Sequence, residues 1–209
     1  MNSFEKWEQY YKETSLEKIP WQRTQADYFT EVIDSGKFKT GSALDLGCGT
    51  GMKSIYLARK GFKVFGVDIS EAAIKIAENN ALEAGLKVKF TVADATNLGF
   101  LKDKKFDFIL DWANFHGIPK NKRLNYINGI INHIKKGGKL LLRCFEKGED
   151  SKESVLLEMG RIYFFSKKDI KKFFGKNFRI LETNRSKPFV RAERKPPAEY
   201  LGEYLMEKL

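Results

Sequence analysis

The stretch that decides the fold is residues 42–70, SALDLGCGTGMKSIYLARKGFKVFGVDIS. A short apolar run leads into three glycines within five residues, at Gly47, Gly49 and Gly51. A helical pattern, a second apolar run and an aspartate, Asp68, follow. This order of features is typical of a nucleotide-binding βαβ unit, in which the backbone at a helix N-terminus approaches the ligand closely.

The alternation of strand and helix patterns continues beyond this unit. The apolar runs VKFTVAD, FDFILDW and KLLLRCF alternate with helical patterns over 70–85, where Ser70 is a candidate N-cap, and over 120–138. The second helical pattern carries an apolar face made of Leu124, Ile127, Ile130, Ile131 and Ile134. Such alternation predicts an α/β fold with a Rossmann-like, doubly wound, seven-stranded sheet.

The last 45 residues are expected to complete the sheet. Ser166 with Asp169 resembles a capping box that begins a helix. The runs FRILETN (178–184) and PFVRAER (188–194) predict an antiparallel pair, so the sheet is mostly parallel with an antiparallel closing strand. Residues 196–209 can form a short amphipathic helix that docks on its own domain. Its apolar side holds Ala198, Leu201, Leu205 and Leu209.

Length and composition place the chain among globular proteins. Its 209 residues, 42% of them hydrophobic, predict a single domain over 1–209. No run of about 18 apolar residues occurs, so we expect no membrane span. The first 13 residues lack the apolar core of a secretory signal. Cys48 and Cys144 have no metal-ligand spacing, which predicts no metal site and a reduced, cytoplasmic setting.

The excess of positive over negative charge lies in the second half of the chain. The net charge is +11, and residues 101–209 hold 25 Lys and Arg against 14 Asp and Glu. A basic face can attract nucleic acid or an anionic substrate. The lysines are scattered, however, and no arginine-rich arm accompanies them. A solvated surface is therefore the favoured interpretation, and nucleic acid stays as a less favoured partner.

Asp45 indicates which nucleotide the glycine turn holds. The glycines form G-x-G-x-G, and Met52 stands where a dinucleotide fold has a later glycine. A carboxylate two residues before Gly47 would repel a pyrophosphate at the helix N-terminus. It suits a ligand that carries positive charge and no phosphate. S-adenosylmethionine, with its ammonium and sulfonium groups, fits this requirement.

Four segments of the chain resemble the class I S-adenosylmethionine-dependent methyltransferases. ALDLGCGTG matches their glycine-loop motif, VFGVDIS their second motif, VADA their third and FDFILDW their fourth. The resemblance covers roughly residues 40–145. It implies that the cofactor is S-adenosylmethionine and the product S-adenosylhomocysteine. The residues that the resemblance places around the cofactor are Trp21, Asp45, Gly47, Cys48, Gly49, Gly51, Asp68, Ile69, Asp94, Ala95 and Asp111.

Within that set the expected roles differ. Asp45 lies near the methionine portion, Asp68 holds the ribose, and Asp94 with Ala95 holds the adenine, against which Ile69 packs. Cys48 contributes a small loop residue, and its thiol is not needed.

The loop after the fourth strand, LDWANFHGIP, is expected to face the acceptor. It has neither the Asp/Asn-Pro-Pro-aromatic run of amino-directed nucleic-acid methyltransferases nor the Pro-Cys of cytosine-C5 enzymes. Trp112, Phe115 and His116 are candidate substrate contacts. Asp111 and His116 are candidate catalytic residues, with His116 either a general base or only a pocket residue. The other histidine, His133, is expected at a helix surface or end.

The N-terminal segment refines the resemblance. EKIPWQ, after the aromatic stretch FEKWEQYY, resembles the thiopurine and tellurite-resistance type methyltransferases. This implies that residues 1–40 cover the cofactor and that Trp21, with Tyr10 or Tyr11 behind it, walls the substrate site. The alternative for Trp21 is a residue that packs the N-terminal helix against the sheet.

Two further features bear on the acceptor. Residues 146–165 are a possible substrate lid, with Arg161 and Tyr163 as weaker contacts. Arg143 can orient an anionic acceptor, or it can form a surface or interface salt bridge.

The resulting hypothesis is a monomeric or homodimeric methyltransferase that acts on a small molecule such as a thiol, chalcogen or other soft nucleophile. Two alternatives stay open. One is an RNA or protein methyltransferase that uses the basic half, and the other is a non-catalytic module that binds the cofactor.

Overall fold

The computed structural model describes residues 3–22, 27–37, 39–148, 153–158, 160–188 and 198–209. Within these ranges the helices are α1 (Ser3–Glu13), α2 (Tyr28–Asp34), α3 (Met52–Arg59), α4 (Glu71–Glu83), α5 (Arg123–His133) and α6 (Lys167–Phe174). The strands are β1 (Ser42–Leu46), β2 (Lys63–Asp68), β3 (Lys89–Val92), β4 (Phe106–Trp112), β5 (Ile134–Phe145), β6 (Ser154–Leu157), β7 (Gly160–Tyr163), β8 (Phe178–Ser186) and β9 (Leu201–Lys208).

Seven of the strands in the described part of the chain form one sheet, in the order β3-β2-β1-β4-β5-β9-β8. Strands β1 to β5 pair in parallel, and β9 is antiparallel to both of its neighbours. This confirms the predicted Rossmann-like fold. The strand order reverses between β1 and β4, and ligands of such sheets bind beyond the carboxyl ends of the strands at that point.

Apolar side chains cover both faces of the sheet. On one face, Leu44, Leu46 and their neighbours pack with α5 and α6 in the largest buried cluster. On the other face, Ala43, Phe108 and Leu141 pack with α2 and α3. Burial on both faces explains why the central strands read as continuous apolar runs. It also fixes the carboxyl ends of β1, β2 and β4 at one edge.

The chain from Leu201 onward is a strand and not the predicted amphipathic helix. β9 lies between β5 and β8, with Leu205 opposite Leu141 and Glu182. All six residues from Leu201 to Met206 are buried. The i, i+4 spacing of leucines suggested a helix with one apolar side. A strand that pairs with a strand on each edge and is buried on both faces can be apolar throughout, so this spacing also fits a strand. Leu209 lies beyond the strand and is exposed.

The partner of β8 therefore also differs from the prediction. Residues 178–184 were expected to pair with PFVRAER, whereas β8 pairs with β9. Most of PFVRAER lies outside the described residues.

Helix α5 is shorter than its predicted span and presents a different face. It ends at His133, because Ile134 adopts an extended conformation and begins β5. Leu124 was assigned to the apolar face but is exposed, since the buried face runs through Arg123, Tyr126, Ile127, Ile130 and His133. His133 closes the helix, and its Nδ1 lies 2.9 Å from the carbonyl oxygen of Lys104.

Several local predictions are confirmed. The Ser70 hydroxyl accepts a hydrogen bond from the Ala73 amide and caps α4. Ser166 and Asp169 form a reciprocal capping box at the start of α6. The span 146–165, whose role as a substrate lid stays a prediction, contains an antiparallel hairpin of β6 and β7.

None of the described helices combines the length and hydropathy that a bilayer crossing requires.

We expect Leu205→Ala to lower the free energy of unfolding by about 2–5 kcal/mol, because it opens a cavity between two buried faces. Urea unfolding measures the change. Leu209→Ala is the matched control, because that side chain is exposed and should change stability by less than about 0.5 kcal/mol. Equal, small effects of both substitutions would contradict the central position of β9.

Candidate active site

The turn between β1 and α3 is built so that the backbone can be approached closely. Gly47, Gly49 and Gly51 all have positive φ, at 69°, 53° and 79°. The amides of Gly47 and Cys48 donate to the carbonyl oxygen of Val67 and hold the turn on β2. A Cβ at Gly49 would lie 2.8 Å from the Tyr11 hydroxyl. Glycine is therefore required there by conformation and by space.

Asp68 ends β2 and faces the same turn. Its carboxylate accepts hydrogen bonds from the Gly49 amide at 2.8 Å and the Ser70 amide at 3.0 Å. Burial raises the pKa of this carboxyl despite these bonds. Each oxygen keeps acceptor capacity, because a carboxylate oxygen offers more than one site.

Asp45 is the last but one residue of β1, two residues before the first glycine, and is 2% exposed. The Ser54 hydroxyl donates to it at 2.6 Å. Burial raises its pKa to about 7, and the nearby Asp68 and Asp111 carboxylates act in the same direction. A cation placed here would reverse this shift, because opposite charge favours the ionised form.

Aromatic side chains of the N-terminal segment lie over the glycine turn. The centroids of Trp7, Tyr10, Tyr11 and Trp21 are 5.5–6.2 Å apart. A Cβ at Gly49 would lie 3.3 Å from the Trp21 indole nitrogen, so this ring reaches the turn. Burial and the Asp68 charge raise the pKa of Tyr11, which keeps it a hydroxyl donor.

Glu8 ties this aromatic segment to α4, a contact that the sequence analysis missed. Its carboxylate accepts from the Ser70 hydroxyl at 2.7 Å and the Ala72 amide at 3.1 Å. A carboxylate at a helix N-terminus is a favourable arrangement. No local pattern in α1 predicts it, because Ser70 and Ala72 lie more than 60 residues away in the sequence.

Asp94, predicted at the adenine end, lies in the turn after β3. Burial raises the pKa of its carboxyl, but hydrogen bonds from Lys122 at 2.9 Å and from Thr96 outweigh this and lower it. Ala95 is buried beside it, and Ile69 is half-buried after β2.

Asp111, predicted to be catalytic, is wholly buried and both of its oxygens accept hydrogen bonds, which does not favour a catalytic role. It accepts from the amides of Asn114 at 2.8 Å and Phe115 at 3.0 Å, and from the Tyr126 hydroxyl at 2.6 Å. Burial raises its pKa to about 6. Asp111 is a positioning residue that anchors the turn after β4.

That turn is strained and touches the glycine turn. Ala113 has φ of 78°, an uncommon value for a residue with a Cβ. Asn114 donates to the Tyr126 hydroxyl at 3.1 Å, and a Cβ at Gly47 would lie 2.7 Å from its Cγ. Tyr126 and Asn114 were missed, since neither stands in a recognised motif.

Phe115 does not line the acceptor pocket as predicted. It is fully buried and stacks on Phe165 with ring centroids 4.6 Å apart. Phe115 is the first residue of a short 3₁₀ helix, Phe115–Gly117, and its side chain points into the core.

His116 is also buried, with its ring centroid 4.5 Å from that of Phe145. Burial and the nearby Arg143 charge lower its pKa to about 3. Its Nδ1 has no hydrogen-bond partner within the described chain. This environment opposes uptake of a proton, so the structure does not favour His116 as a general base.

Trp112 and Arg143 lie opposite each other on β4 and β5. The guanidinium carbon is 4.7 Å from the Trp112 ring centroid. Arg143 also forms an ion pair with Glu203 of β9, with Nε and Oε1 3.4 Å apart.

Comparison with known proteins agrees with this geometry. Residues 43–138 match a family described as a methyltransferase domain. A 2-heptyl-1-hydroxyquinolin-4(1H)-one methyltransferase from Mycobacteroides abscessus is 34% identical over 131 residues, or 61% of this chain and 56% of that protein. An S-adenosylmethionine-dependent methyltransferase from Methanosarcina mazei superposes with a TM-score of 0.73 at 26% identity, covering 85% of this chain and 97% of that one. Residues 43–138, slightly under half of the chain, are thus similar to a methyltransferase domain, and the chain shares the fold of the Methanosarcina mazei methyltransferase.

The narrower resemblance of this methyltransferase domain is not confirmed. TehB from Haemophilus influenzae superposes with a TM-score of 0.74 at 20% identity, covering 98% of this chain and 67% of that one. A likeness at that identity shows the fold alone. The chain spans about half the length of the curated relatives it matches.

S-adenosylmethionine is the cofactor named for the Methanosarcina mazei protein, and the chain's own residues fit it. Two buried carboxylates, Asp45 and Asp68, flank the glycine turn, and neither forms an ion pair with a described lysine or arginine. Such a donor set suits a ligand with cationic and hydroxyl groups. No group of three or more His, Cys, Asp or Glu among the described residues is arranged to hold a metal ion.

We expect Ala113→Gly to raise the free energy of unfolding by about 1 kcal/mol, because glycine adopts a positive φ without strain. Thermal unfolding measures the change. Ala84→Gly is the control, because Ala84 caps α4 at φ of −76° and glycine there should be neutral or destabilising. A loss of stability in Ala113→Gly would contradict the assignment of strain to this turn.

Proposed function

We propose that the protein transfers a methyl group from S-adenosylmethionine to a small-molecule acceptor. The observation that carries the proposal is the pair of buried carboxylates, Asp45 and Asp68, at the ends of adjacent strands beside the glycine turn. When bound, the cofactor supplies a methyl carbon attached to a positively charged sulfur.

Each residue of the site has a binding or orienting task in this proposal. Asp68 accepts hydrogen bonds from the ribose hydroxyls, and Asp45 pairs with the methionine end. The side chain of Asp94, the amide of Ala95 and the side chain of Ile69 hold the adenine. Tyr11 and Trp21 cover the turn and exclude water, and their rings favour a sulfonium by about 0.5–2 kcal/mol each.

The acceptor in this proposal needs no general base from the protein. Asp111 has its oxygens occupied, and His116 resists protonation. A thiolate or another soft anion attacks a sulfonium methyl without proton transfer. This supports a thiol, chalcogen or similar nucleophile as the acceptor, in line with the thiopurine and tellurite-resistance type resemblance.

The distribution of charge supports a small acceptor over RNA. Several basic side chains of the second half pair with carboxylates, as in Lys135 with Asp107, Lys139 with Glu207 and Arg185 with Glu146. These ion pairs place carboxylates among the basic side chains, which weakens the positive surface that RNA would need.

The direct test is incubation with methyl-labelled S-adenosylmethionine and a panel of thiols, hydroxylated heteroaromatics and bulk RNA. Label in a small molecule supports the proposal. Label in RNA, with binding that weakens steeply as salt rises, would replace it with the nucleic-acid alternative. Cofactor binding without transfer to any acceptor would favour a binding module.

We expect Asp68→Ala to weaken S-adenosylmethionine binding by about 1–3 kcal/mol, because hydrogen bonds to a charged group are lost. Calorimetry on protein with an unchanged circular dichroism spectrum measures the affinity. Asp34→Ala is the control, since Asp34 is exposed and pairs only with groups remote from the turn, Lys60 and Tyr56. Unchanged affinity in Asp68→Ala removes the ribose role.

We expect the affinity for S-adenosylmethionine to rise about tenfold between about pH 5.5 and 7.5. The pKa of Asp45 is raised to about 7 without ligand, so the carboxyl holds a proton below that pH and ionises above it. A cationic ligand binds the ionised form and draws the pKa down. Affinity is therefore lost as pH falls.

Calorimetry at several pH values checks this dependence, with Asp45→Asn and Asp34→Asn side by side. Asp45→Asn should bind more weakly and show a flatter profile, whereas Asp34→Asn should follow the wild type. A steep profile that survives in Asp45→Asn would assign the titration to another group.

A further inference from the structure

Two cationic side chains meet at the Trp112 ring. The Arg143 guanidinium carbon lies 4.7 Å from the ring centroid, and the Lys53 Nζ lies 5.2 Å from it. Lys53 also lies 4.5 Å from the Phe29 centroid. Burial is the main cause that lowers the pKa of Lys53, and the Arg143 charge lowers it further. The two cations are therefore close enough to repel each other. Two like charges in a half-buried place are costly unless an anion joins them.

The carboxylates around these cations leave Arg143 weakly paired. Lys53 has a close partner in Asp27, at 2.5 Å. Arg143 has only the 3.4 Å contact with Glu203, and its buried Nε makes no hydrogen bond within the described chain. A buried donor without an acceptor costs about 1–3 kcal/mol.

Glu203 is not free to move toward Arg143. Its two oxygens accept hydrogen bonds from Asn184 at 2.7 Å and Ser186 at 2.8 Å, both on β8. This carboxylate is held in the sheet by shorter contacts than its ion pair. The guanidinium therefore retains donors for a ligand.

This pair of cations lies next to the proposed methyl-transfer point. Lys53 is in the first turn of α3, directly after the glycine turn, and it interacts with Asp45. Trp112 ends β4, the strand that neighbours β1 in the sheet. Ligands of doubly wound sheets bind at this edge.

We propose that Lys53 and Arg143, beside Trp112, bind the acceptor as an anion whose ionised hydroxyl or thiol is the nucleophile; this rests on the proposed function. The lone pair of the ionised oxygen or sulfur forms the bond to the methyl carbon. The bond from that carbon to the sulfonium breaks, and its electron pair stays on the sulfur, which becomes a neutral thioether. No proton moves, which agrees with the absence of a placed base among the described residues.

The test uses the protein loaded with S-adenosylhomocysteine. Calorimetry compares 4-nitrophenolate with its neutral ether, 4-nitroanisole, and 4-nitrothiophenolate with its methyl thioether. We expect each anion to bind at least about tenfold more tightly than its ether, because charge-assisted hydrogen bonds are the strong ones.

Variants assign the preference to the two cations. Arg143→Met and Lys53→Met should each reduce the ratio of anion to ether affinity to about threefold or less, while Arg143→Lys and Lys53→Arg should retain most of it. Arg179→Met is the matched control, because Arg179 is an exposed arginine of β8 paired with Glu207. The ratio separates binding of charge from loss of packing, since both compounds share one ring.

The outcomes separate this inference from the proposed function. Equal affinity for anion and ether, or no binding of either anion to protein that binds S-adenosylhomocysteine, overturns the inference and leaves the methyltransferase proposal standing. A preference that persists in both methionine variants also overturns it. Failure to bind S-adenosylhomocysteine at all would instead reject the proposed function.

Discussion

Burial of three carboxylates at one edge of the sheet is the constraint on which the site depends. Asp68 is the last residue of its parallel strand, Asp45 and Asp111 are the last but one of theirs, and each is at least nine-tenths buried. Like charges in a low dielectric repel strongly, so each must be bonded or neutralised. Asp68 and Asp111 are held by backbone amides, whereas Asp45 has a single hydroxyl donor. The site is therefore short of positive charge, which the proposed cationic cofactor would supply.

The same carboxylates organise the two turns that border the site. Asp68 holds the glycine turn through the Gly49 amide, and Asp111 holds the turn after β4 through two amides and Tyr126. Asn114 links the turns, since it bonds Tyr126 and lies against Gly47. The strain at Ala113 persists because these contacts determine the turn from both sides.

Sequence patterns identified the strands that end at the site, because an apolar run followed by Gly or Asp at a fixed distance is a local signal. They placed Asp45, Asp68 and Asp111 at one edge but could not show which of these carboxylates already has hydrogen-bond donors on both oxygens. That depends on Tyr126, fifteen residues after Asp111. Phe115 was misplaced because a single residue's direction in a short turn is set by the rings around it, here Phe165 and Phe174. The leucine spacing near the C-terminus fits a helix equally well, and only pairing with β5 decides for a strand.

The position of β9 has a consequence for how the domain assembles. β8 precedes β9 in the chain, yet β9 separates it from β5. β8 therefore joins the sheet only through β9, which docks on β5. Glu203 reaches Arg143 only through that docking. Without this docking Arg143 lacks the Glu203 carboxylate and β8 has no neighbour in the sheet, so a single strand completes both the sheet and this ion pair.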